Sequence, residues 1–118
     1  MQGTRYAEEL RRSPRLVVWV DSQAFYGEHG NTIGRRAVES TASIQVDHNQ
    51  VSRMHAELLY EDGIWSINDG VDGKRSLNGL VWDESGKVES VPLVHQLTTV
   101  WLGPPSSSPM VHFQLISQ

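Results

Sequence analysis

The sequence predicts an all-β fold, a sandwich or barrel of short strands, and three observations carry that reading. Apolar residues recur with a period of two over short segments, which puts alternate side chains on one face of a strand. Gly, Pro, Asn and Asp punctuate those segments at near-regular spacing, and a helical period is almost nowhere to be found. Leu58 to Ile67 alternates on both sides of Glu61-Asp62-Gly63, a good hairpin signal.

In chain order, residues 1–14 read as an N-terminal tail or linker. Tyr6, Ala7 and Leu10 can share one face of a short helix, but Pro14 stops it and the piece is too short to be stable alone. Leu16 to Val20 holds three valines and Trp19 and reads as a strand buried on both faces. A turn follows at Gly27, Gly30 and Asn31, and Thr32-Ile33-Gly34-Arg35 is a second strand or its end. Ser43 to Asp47 alternates with Ile44 and Val46 inward, and His48-Asn49-Gln50 is a polar loop. The hairpin comes next, then a loop from Asn68 to Lys74. Leu80-Val81-Trp82 restarts a strand, and Gly86 supplies positive φ to the turn after it. Val91 and Leu93, then Val100 and Leu102, mark two more strands. Val111, Phe113 and Leu115 alternate in the last one. Trp19, Trp65 and Trp101 read as core or sheet packing, and Trp82 as a residue near the ligand groove.

The 118 residues fit one domain, taken as 15–117, with a core of its own. A hydrophobic content of 38% with 20% charged residues belongs to a folded soluble chain. Cysteine is absent, so neither disulfides nor thiolate metal sites are expected. The longest apolar run is Leu16 to Val20, far short of a membrane span, and the N-terminus has no hydrophobic signal core. The expected location is the cytoplasm, with no membrane partner. A net charge of -4 argues against nucleic acid as a partner, since broad binding of that kind needs a basic surface. It leaves room for a small anion site. Of ten basic residues, Arg35, Arg36, Arg53, Lys74 and Arg75 fall within three loops.

Those loops carry the chemistry. Val51-Ser52-Arg53-Met54-His55-Ala56 places a hydroxyl, a guanidinium and an imidazole within four residues, just ahead of a strand. Ile33-Gly34-Arg35 lies upstream and Ser76-Leu77-Asn78-Gly79 downstream. A phosphate has roughly -1.5 to -2 charge and three acceptor oxygens. Arginine meets it with a planar fork of donors, and a serine hydroxyl adds one directional bond. Asparagine donates and accepts at once, which suits an extended peptide main chain.

Gly34-Arg35, Ser52-Arg53-Met54-His55 and Ser76-Leu77-Asn78-Gly79 resemble, in order and in spacing, the pattern of the forkhead-associated (FHA) domain. The likeness covers about residues 15–117. It implies a β-sandwich of two twisted, mostly antiparallel sheets, about eleven strands, with ligand loops at one end. The implied partner is a threonine-phosphorylated protein or peptide, read by a module that is part of a larger signalling protein. In that picture Arg35 contacts the peptide or its phosphate, Ser52 and Arg53 hold the phosphate oxygens, and Asn78 bonds the peptide backbone. Ser76 and Leu77 belong to the same peptide-facing loop. Gly34, His55 and Gly79 shape the loops.

Two departures stand out. Leu77 occupies a position where the family often has Thr or Ser, and losing one hydrogen bond to a charged group costs roughly 1.5–3 kcal/mol, tenfold or more in affinity. Leu97-Thr98 stands where a Gly-Asp turn is common. The alternative function is a phosphorylation-independent interaction module with a degenerate phosphate site. A carbohydrate-binding sandwich rests on the four tryptophans alone. An enzyme is not expected, because no nucleophile-elbow Gly-x-Ser-x-Gly occurs and no orienting acid is evident beside Ser52 and His55. No catalytic residue, cofactor or metal ligand set emerges, the five histidines being scattered.

Overall fold

A computed structural model describes residues 14–117 of the chain. The tail expected over 1–14 therefore lies, Pro14 apart, outside the described residues. Among the described residues eleven strands form two sheets. In chain order they are β1 Arg15–Val20, β2 Gln23–Tyr26, β3 Thr32–Arg35, β4 Ile44–Val46, β5 Ala56–Glu61 and β6 Ile64–Asp69. Then come β7 Leu80–Trp82, β8 Lys87–Val88, β9 Ser90–Leu93, β10 Leu97–Trp101 and β11 Met110–Ile116. One sheet has the order β2-β1-β11-β10-β7-β8 and the other β4-β3-β5-β6-β9. Every pairing is antiparallel except β3 with β4. The all-β sandwich is thus the fold.

The period of two decides what goes between the sheets. Val18 and Val20 of β1, Val111 and Phe113 of β11 and Val100 of β10 turn inward from one sheet. Ile33, Ile44, Leu58, Ile67 and Val91 face them from the other, and all are buried. The β5–β6 hairpin has Glu61 opposite Ile64, so Asp62 and Gly63 alone make the turn. Both take positive φ, 52° and 79°, the conformation whose twist matches the flanking strands. Trp65 is in the core, its Nε1 donating to the Pro14 carbonyl at 3.1 Å.

Some expectations are corrected. β2 was not anticipated: only Phe25 of its four residues packs on the core, so no alternation shows, and Asp21-Ser22 closes the β1–β2 hairpin without the Asn-Gly signature. Two-residue β8 is too short to leave a pattern. Leu97 and Thr98 form no turn; they open β10, paired with Gln114 and Phe113. Trp82 is partly buried against the core. Trp19 and Trp101 are half-buried on the outward face of their sheet.

Placing Thr98 in a strand turns its hydroxyl inward, where Oγ1 is buried with no hydrogen-bond partner. Replacing an unsatisfied buried hydroxyl by a methyl of the same shape removes a desolvation cost. Thr98→Val is expected to raise stability by about 1 kcal/mol, read as a higher urea midpoint at unchanged slope.

Candidate functional site

The strand ends bring the three motif loops together. Gly34 sits in β3 between two backbone bonds that clamp the strand to the Ser52–His55 loop: the Arg35 N–H donates to the Ser52 carbonyl at 2.9 Å, and the His55 N–H to the Ile33 carbonyl at 2.8 Å. A Cβ at position 34 would stand 1.8 Å from the Arg53 carbonyl oxygen. Only glycine lets the strand lie this close to the loop that holds Ser52 and Arg53.

His55 is the joint between the second loop and the third. It is fully buried. The Ser52 N–H donates to its Nδ1 at 3.0 Å, so the ring proton resides on Nε2 and is donated to the Gly79 carbonyl at 2.7 Å. Burial lowers the imidazole pKa, against the Gly79 bond and the Asp69 charge, which both raise it. A neutral ring is what the bonding requires, because a protonated Nδ1 no longer accepts from Ser52.

Gly79 takes φ +76° and lets the Lys87 stem pass, a Cβ there meeting Lys87 Cε at 2.5 Å. The Ser76 hydroxyl donates to the Asp69 carboxylate and accepts the Gly79 N–H at 2.8 Å. Its proton is committed inside the loop, where Ser76 braces Asp69 against Gly79. Asn78 Nδ2 donates to both the main-chain carbonyl and Oε1 of Gln50, at 2.7 and 3.1 Å. Its Oδ1 has no protein donor among the described residues and can accept a peptide N–H.

What remains free is a set of donors. Ser52 Oγ accepts the Leu77 N–H at 2.9 Å, which fixes the hydroxyl, while its own proton meets no acceptor among the described residues. Arg35 is half-buried and Arg53 exposed. The only ion pair among the described residues joins Arg75 to Glu89. Arg75 is therefore answered, whereas Arg35, Arg36 and Arg53 have no carboxylate partner among those residues. Ser52 and Arg53 are adjacent, and Arg35 is bonded to them through the backbone. The arrangement is one directional hydroxyl with guanidinium forks beside it, suited to an anion with several acceptor oxygens.

The FHA domain family model matches residues 31–99, which is 69 of the 118 residues. The chain belongs to the FHA domain family. FHA domains are binding modules, generally for phosphothreonine. Among solved structures, this FHA domain is similar to the FHA-1 domain of Mycobacterium tuberculosis Rv1747, with 27% identity and a TM-score of 0.71 over 88% of this chain and 98% of that one. It is similar to the Slr1951 protein of Synechocystis, with 26% identity and a TM-score of 0.63 over 89% and 95%. An FHA domain solved for structural and functional analysis of phosphothreonine-dependent interactions shares 16% identity and a TM-score of 0.61 over 88% and 97%, a likeness of fold alone. No curated protein sequence matches this one.

Leu77 is the site's odd member. Its backbone N–H orients Ser52, but its side chain is 85% exposed and brings no hydroxyl to the loop. Sequence reasoning missed Gln50 and Asp69, which hold Asn78 and Ser76. Their partners lie 28 and 7 residues away, and only the fold joins them. Among the described residues, no group of three or more His, Cys, Asp or Glu is placed to hold a metal ion.

Proposed function

We propose that this FHA domain binds threonine-phosphorylated protein segments, with Ser52 and Arg53 on the phosphate, Arg35 beside them, and Asn78 Oδ1 on the peptide main chain. The observation that carries the reading is the Ser52 hydroxyl, its oxygen fixed by the Leu77 N–H and its proton without an acceptor among the described residues, next to arginines without carboxylate partners among them. An FHA neighbour studied for phosphothreonine-dependent interactions supports the ligand class, and another solved with the intracellular domain of Rv3910 supports a protein partner. Gly34, His55, Ser76 and Gly79 act by holding the loops.

A second reading, phosphorylation-independent protein binding, is favoured by one observation: the exposed aliphatic Leu77 where a further phosphate-facing hydroxyl is usual. Titration of a phosphothreonine peptide library and its unphosphorylated counterpart against the wild-type domain and Arg53→Ala separates the two. The proposal expects binding only with phosphate and a loss of about tenfold or more in Arg53→Ala, the cost of one hydrogen bond to a charged group. Equal binding with and without phosphate, indifferent to Arg53, establishes the second reading instead.

A further inference from the structure

The outer faces of the two sheets differ. On the five-stranded sheet, β5 and β6 point Glu57, Glu61, Ser66 and Asn68 outward together with two apolar residues, Leu59 and Ile64. On the six-stranded sheet the outward positions are mostly apolar, with Thr99, His112 and Gln114 among them. Four of the eight exposed large hydrophobic side chains stand there: Tyr26 at 68% exposure, Leu97 at 59%, Met110 at 49% and Ile116 at 39%. Trp19 and Trp101 lie half-buried between them, and Val17 is only 6% exposed although it faces away from the core. β1 has the composition of a strand covered on both sides, yet no described strand covers its outer side.

We propose that this face is an interface and that its occupant is a second copy of the chain. Three features favour a copy of itself. First, part of the polar set in the middle is paired within the face: Trp19 Nε1 donates to Gln114 Oε1 at 3.0 Å, and Thr99 Oγ1 is 2.7 Å from His112 Nδ1. Covering the face leaves these atoms satisfied. Second, its outward strand positions carry no carboxylate, and the cations Arg15 and Lys87 lie toward its margins, so two identical faces meet without charge in the middle. Third, the shape is self-complementary. A cavity of about 200 Å³ opens among β1, β2 and β11, lined by Val17, Trp19, Tyr26 and Ile116. The Leu97 side chain protrudes from β10, across β11 from it. A two-fold axis over β11 drops each Leu97 into the other copy's cavity, the reciprocal contact that an isologous pair requires.

The size sets the strength. Six strands about 4.8 Å apart and about five residues long give a flat footprint of roughly 400 Å². Standard interfaces bury about 800 Å² per partner, so the pair is a weak one. The loops that hold Ser52 and Arg53 lie at the strand ends and stay open in both copies.

Sedimentation velocity on the full chain, from ~5 µM to ~500 µM, tests this against the strength expected of a small interface. The wild type should pass from monomer to dimer over that range. Leu97→Glu and Met110→Glu, at exposed positions and with unchanged melting temperature, should each weaken association at least ~10-fold, while Glu57→Lys on the other sheet should not. A wild type that stays monomeric at every concentration overturns the proposal and assigns the face to a different partner or to the segment before Pro14. A dimer indifferent to both glutamates overturns it too.

Discussion

Gly34→Ala is expected to cost about 3 kcal/mol, the upper range for overpacking, and to remove ligand binding with it. The reason is steric. The added Cβ would lie 1.8 Å from the Arg53 carbonyl oxygen and 2.7 Å from its carbon, and both are backbone atoms that cannot rotate away. The loop cannot retreat either, because the Arg35–Ser52 and His55–Ile33 backbone bonds flank the contact on both sides. Relief requires breaking at least one of them, which moves Ser52 and Arg53 off their geometry. Urea denaturation and peptide titration of the same variant check both halves. A wild-type midpoint with wild-type affinity would show that the loop yields more easily than its bonding says.

His55→Ala should be costlier still, by about 3–5 kcal/mol, since it leaves the Ser52 N–H and the Gly79 carbonyl without partners and opens a cavity in a fully buried place. The same ring gives the domain an acid sensitivity. Its pKa is lowered by burial below the usual value of about 6.5, so in the unfolded chain it takes up a proton at a higher pH than in the fold. The unfolded state then binds more protons, and stability rises with pH in that window. The contribution of neutral His55 is complete above about pH 6.5 and is lost at up to about 1.4 kcal/mol per pH unit as the pH drops toward the folded pKa. Urea midpoints of wild type and His55→Ala at a series of pH values isolate this part. The variant should lack the wild-type slope just below pH 6.5, and an identical slope in both would place the sensitivity elsewhere.

How much of this was legible in the sequence follows from how far apart the interacting residues are. The β5–β6 hairpin was legible because strand period and turn chemistry sit within twelve residues, and β4 because Ile44 and Val46 flank an outward Gln45. β2 was not, since as an edge strand it buries one ring and follows an unremarked Asp-Ser turn. At the site, the residue types around Ser52, Arg53 and Asn78 mark in the sequence a loop with donors suited to an anion. The division of labour among them did not show. Ser76 looks as available as Ser52 in the sequence, yet Asp69 claims its proton while Ser52 keeps its own. The role of Gly34 is equally invisible, because it lies in the approach of a backbone 19 residues away. The outward tryptophans are a further case: alternation put Trp19 and Trp101 on a face, but which face is exposed depends on the sheet order.

The most direct test of the central claim is an amide-resolved NMR titration of the full chain with one threonine-containing peptide in phosphorylated and unphosphorylated forms. The account predicts shifts with the phosphorylated form alone, centred on the amides of Arg35, Ser52, Arg53, Leu77 and Asn78. Shifts of equal size with both forms, or shifts centred on the outer face around Trp19 and Leu97, would contradict it.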